Sequence, residues 1–388
     1  MRRMKRMNRF FPLLFAVIIA GCSPNNEDIP THTDMPLDPT KRYIHFDADV
    51  LTRGALVEGD YLQDNFYALG YMYGGDWETE KVMALPNVFN NTPQLVEYNI
   101  GNGLFGYTPI QAWTGNKYSF FGYYPIHDSV KLFDDGTVKQ GDPYITYELV
   151  SRNNPIGLID VMTASYLDTG VSSNPSVGLH FRHRLAAIDV GARNYYTIED
   201  NNGDDIPVTI ELTELGVIFN NLMNDKAKIY LDASIPSVYT PAAEGNRTAT
   251  YYMVHANPAY VIPKTFDVVP NTSSYTNFQY ISTQTGENAS TILVIPQEEP
   301  LTIGGSITYK KKYKDAQDRW VYLTNDKVGD VYYNTQLFKE ELHLTFNKQI
   351  MEGRRYFIEF TFTSDAVSVN VIAADEWNTN PDITHEFE

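Results

Sequence analysis

The chain has 388 residues, of which 43% are hydrophobic, enough for packed cores in two or three domains of ordinary size. Its formal net charge of −18 repels phosphate backbones and argues against nucleic acid as a partner. A single cysteine excludes an internal disulfide framework, and the 13% share of aromatic residues favours β-strands over helices.

The N-terminus has the pattern of a bacterial lipoprotein signal peptide. Five basic residues precede a short apolar run, Phe10–Ala20, that is too short to span a bilayer. The run ends in Ile19-Ala20-Gly21-Cys22, which resembles a lipobox, the motif whose cysteine thiol is acylated and becomes the first residue. We therefore predict a signal peptide over residues 1–21 and lipid attachment at Cys22. The alternative is an ordinary signal peptide that happens to contain a cysteine.

A tether and a first strand are predicted next. Residues 22–41 contain four prolines and no apolar periodicity, which is typical of a flexible tether. Arg42–Val50 alternates between apolar and polar residues, as a strand does. Arg53 follows this strand and precedes the flexible residue Gly54, a combination that suits an exposed proteolytic cleavage site. An ordinary turn arginine is the alternative.

Helical periodicity is scarce in the rest of the first half, and strand patterns are common. Phe66–Tyr73 and Tyr118–Tyr124 are continuous apolar and aromatic runs that end at turn residues, and Leu179–Ala187 alternates. The polar segment Glu199–Asp205 then predicts a loop, where we expect the boundary between two domains.

The second half of the sequence also consists of short strand-like segments separated by turn residues. Many short strands with frequent turn signals indicate β-sandwiches, so we predict one β-sandwich domain over residues 42–197 and another over residues 198–388. The predicted strands of the second half are Val208–Leu212, Gly216–Asn220, Ala227–Leu231, Thr291–Ile295, Gly305–Tyr313, Arg319–Thr324, Glu341–Phe346, Tyr356–Thr363 and Val367–Ile372.

Several segments, in order along nearly the whole mature chain, resemble motifs of the fimbrillin family of type V pilin-like surface proteins. Each segment alone is unspecific, and their order carries the resemblance. The segments are Thr52-Arg53-Gly54, Trp113 with Tyr118–Pro125, Asp160–Ala164, Phe181–Ala186, Ile292–Gln297, and Tyr356–Phe360 with Val369–Val371 and Trp377.

The resemblance implies an all-β fold with two transthyretin-like β-sandwich domains in tandem. It implies a structural subunit or a tip or accessory adhesin of a cell-surface fimbria, with other fimbrial subunits as partners. The lipid would hold the chain to the surface of the outer membrane before processing, and an adhesin would also bind a ligand on a host or bacterial surface. Stalk, tip and anchor roles all agree with the sequence.

The resemblance also implies assembly by strand exchange. In stalk subunits of the family a protease cuts after an arginine or lysine beyond the first strand, and a neighbour's C-terminal segment fills the vacated groove. In this chain the cut would fall between Arg53 and Gly54, and residues 366–388 would be the donor segment. Alternatively, Val367–Ile372 is the closing strand of its own domain.

The remaining candidate sites favour structural roles. No catalytic or nucleotide-binding motif is present, so we predict a protein that is not an enzyme and that has no cofactor and no metal site. His180 and His183 lie three residues apart on a strand and point to opposite faces, so they cannot share a metal, and His183 is predicted to be a buried, hydrogen-bonded core residue. The acidic loop from Asp200 lacks the glycine of a calcium loop. Lys310–Lys312 is predicted to be a solvated strand end.

The second functional hypothesis is a stand-alone surface lipoprotein that binds glycans through exposed aromatic side chains. The chain has 28 tyrosines and four tryptophans, whose rings could stack on sugars. Most of these rings are expected to lie in cores and on strand faces instead.

Overall fold

The computed structural model confirms an all-β fold. Between residues 40 and 376, apart from short gaps, the described residues include one turn of α-helix, Trp77–Glu80, and a 3-10 turn, Glu244–Asn246. No helix in this part of the chain is long and apolar enough to cross a bilayer. The gaps are 51–61, 84, 86, 90–91, 115–116, 134–140, 150–158, 171–175, 201, 263–278, 281–290, 324–337, 347–348 and 365.

The strands are numbered in chain order. Up to the acidic turn they are β1 (His45–Val50), β2 (Phe66–Tyr73), β3 (Gln94–Asn99), β4 (Leu104–Gly106), β5 (Lys117–Tyr124), β6 (Val130–Leu132), β7 (Tyr144–Glu148), β8 (Met162–Thr169), β9 (Ser176–His183), β10 (Ala186–Asn194) and β11 (Thr197–Glu199). After it they are β12 (Asp205–Phe219), β13 (Asn224–Tyr230), β14 (Val238–Pro241), β15 (Ala249–Ile262), β16 (Gln279–Tyr280), β17 (Thr291–Val294), β18 (Leu301–Lys314), β19 (Trp320–Tyr322), β20 (Phe338–Phe346), β21 (Arg354–Phe362) and β22 (Val367–Glu376).

Seven strands from the first half of the chain form one sheet, in the order β1-β9-β8-β5-β2-β3-β4. Its pairings are antiparallel except that of β1 with β9, which is parallel. The two edge strands, β1 and β4, approach each other, so the sheet curls around its own inner face. The predicted strands Phe66–Tyr73 and Tyr118–Tyr124 are confirmed as β2 and β5.

Both faces of the centre of this sheet are buried. On the inner face, Phe66 of β2 and Phe120 of β5 belong to a hydrophobic cluster that we call the first core. On the outer face, Leu69 and Phe121 belong to a larger cluster, the second core, which also holds most of the buried residues of the second half. This double burial explains why β2 and β5 have continuous apolar runs without alternation.

Three further sheets connect the two halves of the sequence. A four-stranded sheet, β14-β13-β7-β6, joins β7 of the first half to β13 of the second, and its buried residues, such as Ile145 and Ile229, lie in the second core. A five-stranded sheet places β10 between β21, which runs parallel to it, and the antiparallel β16 and β17, with β22 at the far edge. A six-stranded sheet contains β11, β12, β15, β18, β19 and β20.

Two departures from the predicted strands have local causes. Val208–Leu212 and Gly216–Asn220 belong to one strand, β12, whose pairing shifts register between Leu212 and Glu214. The sequence pattern missed β15, because Pro258 argues against a strand interior. The register of β15 against β12 skips residues 256–259, so Pro258 lies in a bulge where the ladder does not use its missing N–H.

The strand β10 contains polar residues that are buried and paired. The carboxylate of Asp189 is fully buried, accepts a hydrogen bond from the hydroxyl of Thr291 and forms an ion pair with Arg355 of β21. Arg193 and Glu359, also on β10 and β21, form a second buried pair with Nε and Oε2 2.9 Å apart. These pairs lie between two parallel strands that are more than 160 residues apart in the chain, and they fix which polar groups face each other.

We predict that the substitution Asp189→Ala lowers the free energy of unfolding by about 3–5 kcal/mol, because it leaves the Arg355 guanidinium without its buried countercharge. Urea denaturation measures the change. The double variant Asp189→Leu with Arg355→Met should regain a large part of the loss, since it removes both charges. If the double variant is as unstable as Asp189→Ala, an unpaired charge is not the cause.

Candidate functional site

The first strand occupies the edge of the curled sheet and fills its interior with every second side chain. β1 pairs in parallel with β9, which brings Ala48 opposite Leu179 and Val50 opposite Phe181. Phe46, Ala48 and Val50 are each 3% exposed and belong to the first core. Removal of an edge strand that closes a core in this way would expose the apolar groove beneath it.

Phe46 is the largest inward side chain of β1 and lies in a box of aromatic rings. Contacts at centroid distances of this size favour edge-to-face and tilted arrangements, which add to the energy of area burial. The four rings around Phe46, at 5.6–6.0 Å between centroids, are Phe66, Phe89, Tyr107 and Phe120.

Within the described residues, separate single hydrogen bonds join the other edge of β1, and the residues just before it, to their neighbours. The amide of Ile44 donates to the carbonyl of Gln111 at 2.9 Å, and the amide of Leu62 donates to the carbonyl of Ala48 at 3.3 Å. The Tyr107 hydroxyl donates to the carbonyl of Ile44 at 3.1 Å, and burial raises the pKa of this phenol, which keeps it protonated. In the described part of the chain, this edge of β1 therefore has fewer backbone bonds than the edge that pairs with β9.

The outward face of β1 is polar and pairs with β9 side chains. Asp49 Oδ1 lies 2.6 Å from His180 Nδ1, and the Ser176 hydroxyl donates to Asp47 Oδ2 at 2.6 Å. Burial lowers the pKa of His45, and the charge of Asp47 opposes that shift. Exposed pairs of this kind contribute roughly 0–1 kcal/mol each, so the apolar inner face of β1 holds most of its binding energy.

A pocket of about 470 Å³ is bordered by residues of β1, of β9, of the hairpin of β3 and β4, and by Leu62 and Gln63. Its wall includes Gly103 of the turn that joins β3 to β4. The lining residues are Asp47, Ala48, Asp49, Leu62, Gln63, Tyr98, Gly103, Phe105, Gly178, Leu179 and His180. Sequence reasoning missed this pocket, because its walls come from four separate segments.

The predicted processing and donor residues are only partly visible. Cys22, Arg53 and Gly54 lie outside the described residues, as do residues 377–388. The predicted strand Val367–Ile372 is part of β22, the edge strand of the five-stranded sheet, where it pairs antiparallel with β21. In this structure Val367–Ile372 therefore closes its own sheet.

The two histidines of β9 have the predicted positions. His183 is 2% exposed, and its Nδ1 lies 2.8 Å from Asp160 Oδ1, which confirms a buried, hydrogen-bonded residue. His180 lies on the opposite, exposed face. Within the described part of the chain, no group of three or more histidine, cysteine, aspartate or glutamate residues could hold a metal ion.

The acidic turn between β11 and β12 is organised by its own backbone. The Asp200 carboxylate accepts the amides of Asn202 and Asp204 at 2.7 and 2.9 Å, and these bonds lower its pKa. Glu211, the last residue of the calcium-like spacing, lies within β12, where its carboxylate pairs with Lys312. The carboxylates of this segment therefore do not converge.

The prediction of a solvated lysine strand end was wrong for the middle residue. Lys311 is 5% exposed, and its ammonium donates to the Tyr196 hydroxyl at 2.8 Å. It lies 4.3 Å from the ring centroid of Tyr196 and 4.2 Å from that of Phe338, a cation–π arrangement. The alternation of the strand puts Lys311 inside while Lys310 and Lys312 lie on the other face.

Comparisons with known proteins agree on one family and one fold. A family model described as fimbrillin-like matches residues 70–377. No curated protein matches the chain by sequence. A crystal structure of a fimbrial protein from Bacteroides vulgatus is 19% identical, with a TM-score of 0.53 over 87% of this chain and 99% of that one, which shows a shared fold.

Two further solved structures, of candidate cell-adhesion proteins from Bacteroides uniformis and Bacteroides ovatus, are 14% and 11% identical to this chain. Their TM-scores are 0.43 and 0.41, over 88% and 86% of this chain and 100% and 96% of theirs.

We predict that Phe46→Ala lowers the free energy of unfolding by about 3–5 kcal/mol, because it empties the aromatic box. The neighbouring variant Asp47→Ala is the matched control on the exposed face of β1 and should cost less than about 1 kcal/mol. Chemical denaturation of both variants measures the difference. Equal effects would contradict the inward orientation of Phe46.

Proposed function

The chain belongs to the fimbrillin-like family, and from this membership we propose that it is a structural subunit or a tip or accessory adhesin of a cell-surface fimbria. We propose that it is exported as a lipoprotein and assembles by protease-triggered strand exchange. The observation that carries the proposal is β1: it is an edge strand near the N-terminus, it plugs an apolar groove, and Arg53 follows it by three residues.

Strand exchange requires a strand that can dissociate and an apolar groove that is unstable when it is empty. As far as the described residues extend, β1 has one full ladder, with β9, and separate single bonds on its other edge, and we infer that few further backbone bonds oppose its departure. Its loss uncovers unpaired backbone groups of β9 and the apolar floor of the first core. A strand from a neighbouring subunit satisfies both by strand addition.

The uncut chain is expected to remain monomeric. While β1 is covalently attached, it competes for its own groove at a high effective concentration, so a strand from another molecule cannot displace it. Cleavage after Arg53 converts β1 into a separate short peptide that can dissociate. The protease therefore acts as the trigger, and the lipid at Cys22 leaves with the released fragment.

We also propose two transthyretin-like β-sandwich units in tandem. The sequence predicted their boundary between residues 197 and 198. The pairing of β10 with β16, β17 and β21, and of β11 with β12, favours placing it before Ala186 instead. The ladder between β7 and β13 would tie the two units firmly together. Such a subunit would act as a stiff segment of a filament.

The location and partners follow from the same proposal. The lipid at Cys22 would hold the new subunit on the outer membrane, and processing would release it into the fimbria, where its partners are other subunits. A tip or accessory adhesin would in addition bind a ligand on a host or bacterial surface. This role requires no catalysis, so we propose that the chain is not an enzyme.

One observation favours glycan binding as a second function. Trp320, at the start of β19, is 49% exposed, and the ammonium groups of Lys312 and Lys314 lie 4.6 and 5.5 Å from its ring centroid. An exposed indole offers a face on which the apolar side of a sugar ring stacks. A chain that binds such a glycan and stays monomeric after cleavage would fit this second function better than a stalk subunit.

Cleavage of the purified chain with trypsin after Arg53 should produce ladders of multimers that resist mild denaturant. The Arg53→Ala chain should stay monomeric, because β1 remains attached, and Arg53→Lys should behave as the wild type, because trypsin cuts after lysine. A chain that ends at Asp365 lacks the proposed donor segment and should also form no ladders. Gel electrophoresis and mass spectrometry of the new N-terminus measure the outcome.

The same experiment distinguishes the roles within a fimbria. If the chain stays monomeric after a verified cut at Arg53, self-polymerisation is wrong, and a tip, anchor or stand-alone adhesin becomes the better assignment. A second truncation at Glu376 tests residues 377–388 while it keeps β22 on β21. Ladders from this chain would point to the β22 strand itself as the donor.

Acylation of Cys22 is tested by metabolic labelling with a fatty-acid analogue. The wild-type chain should carry the label, and Cys22→Ser should not, because the lipobox thiol is the only one in the sequence. Equal labelling of both chains would refute the lipoprotein assignment.

A further inference from the structure

The indole of Trp320 lies at the edge of the six-stranded sheet, on the face opposite the buried Lys311. Among the described strands β19 pairs with β18 alone, and Lys314 of β18 lies directly opposite Trp320. Trp320 is 49% exposed, whereas Trp77 and Trp113 are 2% and 8% exposed in the two cores. In the described part of the chain, Trp320 is therefore the tryptophan whose ring is open to a ligand.

The position of the indole is set by a paired lysine. The ammonium group of Lys312 lies 4.6 Å from the ring centroid of Trp320, and its side chain is only 12% exposed. That ammonium forms an ion pair with Glu211, whose other carboxylate oxygen accepts the hydroxyl of Tyr322 at 3.0 Å. The ring therefore loses little freedom when a ligand binds, which favours binding.

A donor and an acceptor lie exposed beside the indole. Lys314 Nζ and Asp318 Oδ1 are 2.6 Å apart, and their side chains are 48% and 78% exposed. Asp318 belongs to a turn that its own bonds order, because the Asp315 carboxylate accepts the amides of Gln317 and Arg319 at 2.9 Å each. The ammonium group of Lys314 lies 5.5 Å from the centroid of the indole, so it borders the ring.

This combination of groups matches the chemistry of a neutral sugar. A pyranose presents an apolar C–H face, which stacks on an aromatic ring, and adjacent hydroxyls that both donate and accept hydrogen bonds. The two ammonium groups near the indole are already paired, Lys312 with Glu211 and Lys314 with Asp318. The surface beside Trp320 therefore offers little net attraction to a carboxylate or sulfate group.

We propose that Trp320, Lys314 and Asp318 form a binding site for a neutral pyranose of a surface glycan. The C–H face of the sugar stacks on the indole, one hydroxyl donates to the Asp318 carboxylate, and the adjacent hydroxyl accepts from the Lys314 ammonium. This inference rests on glycan binding, the second proposed function, and specifies its site and its class of ligand.

The expected affinity of the single site is low. One stacked ring and two exposed hydrogen bonds suit a dissociation constant of about 1–10 mM. In a fimbria the site would recur on every copy of the subunit, and several sites engaged on one glycan-coated surface multiply the avidity. A weak site therefore suits a subunit that is present in many copies.

The first test locates the sugar. The intact chain is labelled with 5-fluorotryptophan, and methyl β-glucoside and methyl β-galactoside are titrated while fluorine NMR follows each tryptophan. The signal assigned to Trp320, by its loss in Trp320→Phe, should shift with a dissociation constant of about 1–10 mM. The signals of the buried Trp77 and Trp113 should not move.

Variants then test the contribution of the ring. Ligand-observed NMR should show at least a tenfold loss of affinity in Trp320→Ala, because the stacking surface is gone. Unchanged fluorine signals of Trp77 and Trp113 would show that this variant is folded. Tyr166→Ala is the matched control, since Tyr166 is a partly exposed ring on β8 of another sheet, and it should bind sugar as the wild type does.

The second test addresses the rim and the class of ligand. Asp318→Asn should weaken binding about threefold to tenfold, because a charged acceptor becomes neutral. The turn should persist, since asparagine tolerates the left-handed backbone of this position, φ 60°. Methyl β-glucuronide differs from the glucoside by one carboxylate and should bind within about threefold of it, because the nearby charges are paired.

The outcomes separate this inference from glycan binding itself. If neither neutral sugar binds the wild-type chain, glycan binding and the inference fail together, and the proposed fimbrial role is unaffected. If the sugars bind Trp320→Ala as well as the wild type, glycan binding stands and the site is wrong. If the glucuronide binds more than tenfold more tightly than the glucoside, the ligand is an acidic sugar and the proposed class is overturned.

Discussion

The burial of both faces of β2 and β5 is the constraint on which the rest of this structure depends. Two strands with aromatic residues on each side cannot face water, so they must form a wall with a core on either side. The second core is covered by strands from both halves of the chain. The first core has no second sheet to cover it in the same way, and the seven-stranded sheet curls around it and is closed at its edge by β1.

This arrangement makes β1 important for stability, and we propose that it is also replaceable. Its inner face is almost fully buried, and among the residues that the structure describes its one complete ladder is that with β9. The hydrophobic effect is not directional, so in the proposed exchange another strand with suitable apolar side chains would satisfy the groove. Backbone pairing with β9 would set where that strand lies.

In the second half of the molecule, buried charged side chains are paired between neighbouring strands. β10 and β21 run parallel, and their buried ion pairs, Asp189 with Arg355 and Arg193 with Glu359, permit one register. Lys311 is likewise held by Tyr196 and Phe338. Buried charges of this kind contribute modestly to stability but penalise every arrangement that would leave one of them unpaired. The buried ion pairs of β10 and β21 thus contrast with the apolar groove of β1, where we propose that exchange occurs.

The sequence by itself determined the features that follow from local patterns. Continuous apolar and aromatic runs indicated β2 and β5, alternation placed His183 inside and His180 outside, and the order of motifs indicated the family. Only the tertiary structure decided which strands pair and what lies between them. The parallel partner of β1 is more than 120 residues away in the chain, and Pro258 fits into β15 because the register of β15 against β12 skips it. Lys311 is buried between an aromatic ring of β20 and one from the link between β10 and β11. The pocket bordered by β1, β9 and the hairpin of β3 and β4 has walls from four segments. Local periodicity reports which face of a strand is apolar, whereas pairing, registers and cavities arise from contacts between residues far apart in the chain, which no local pattern contains.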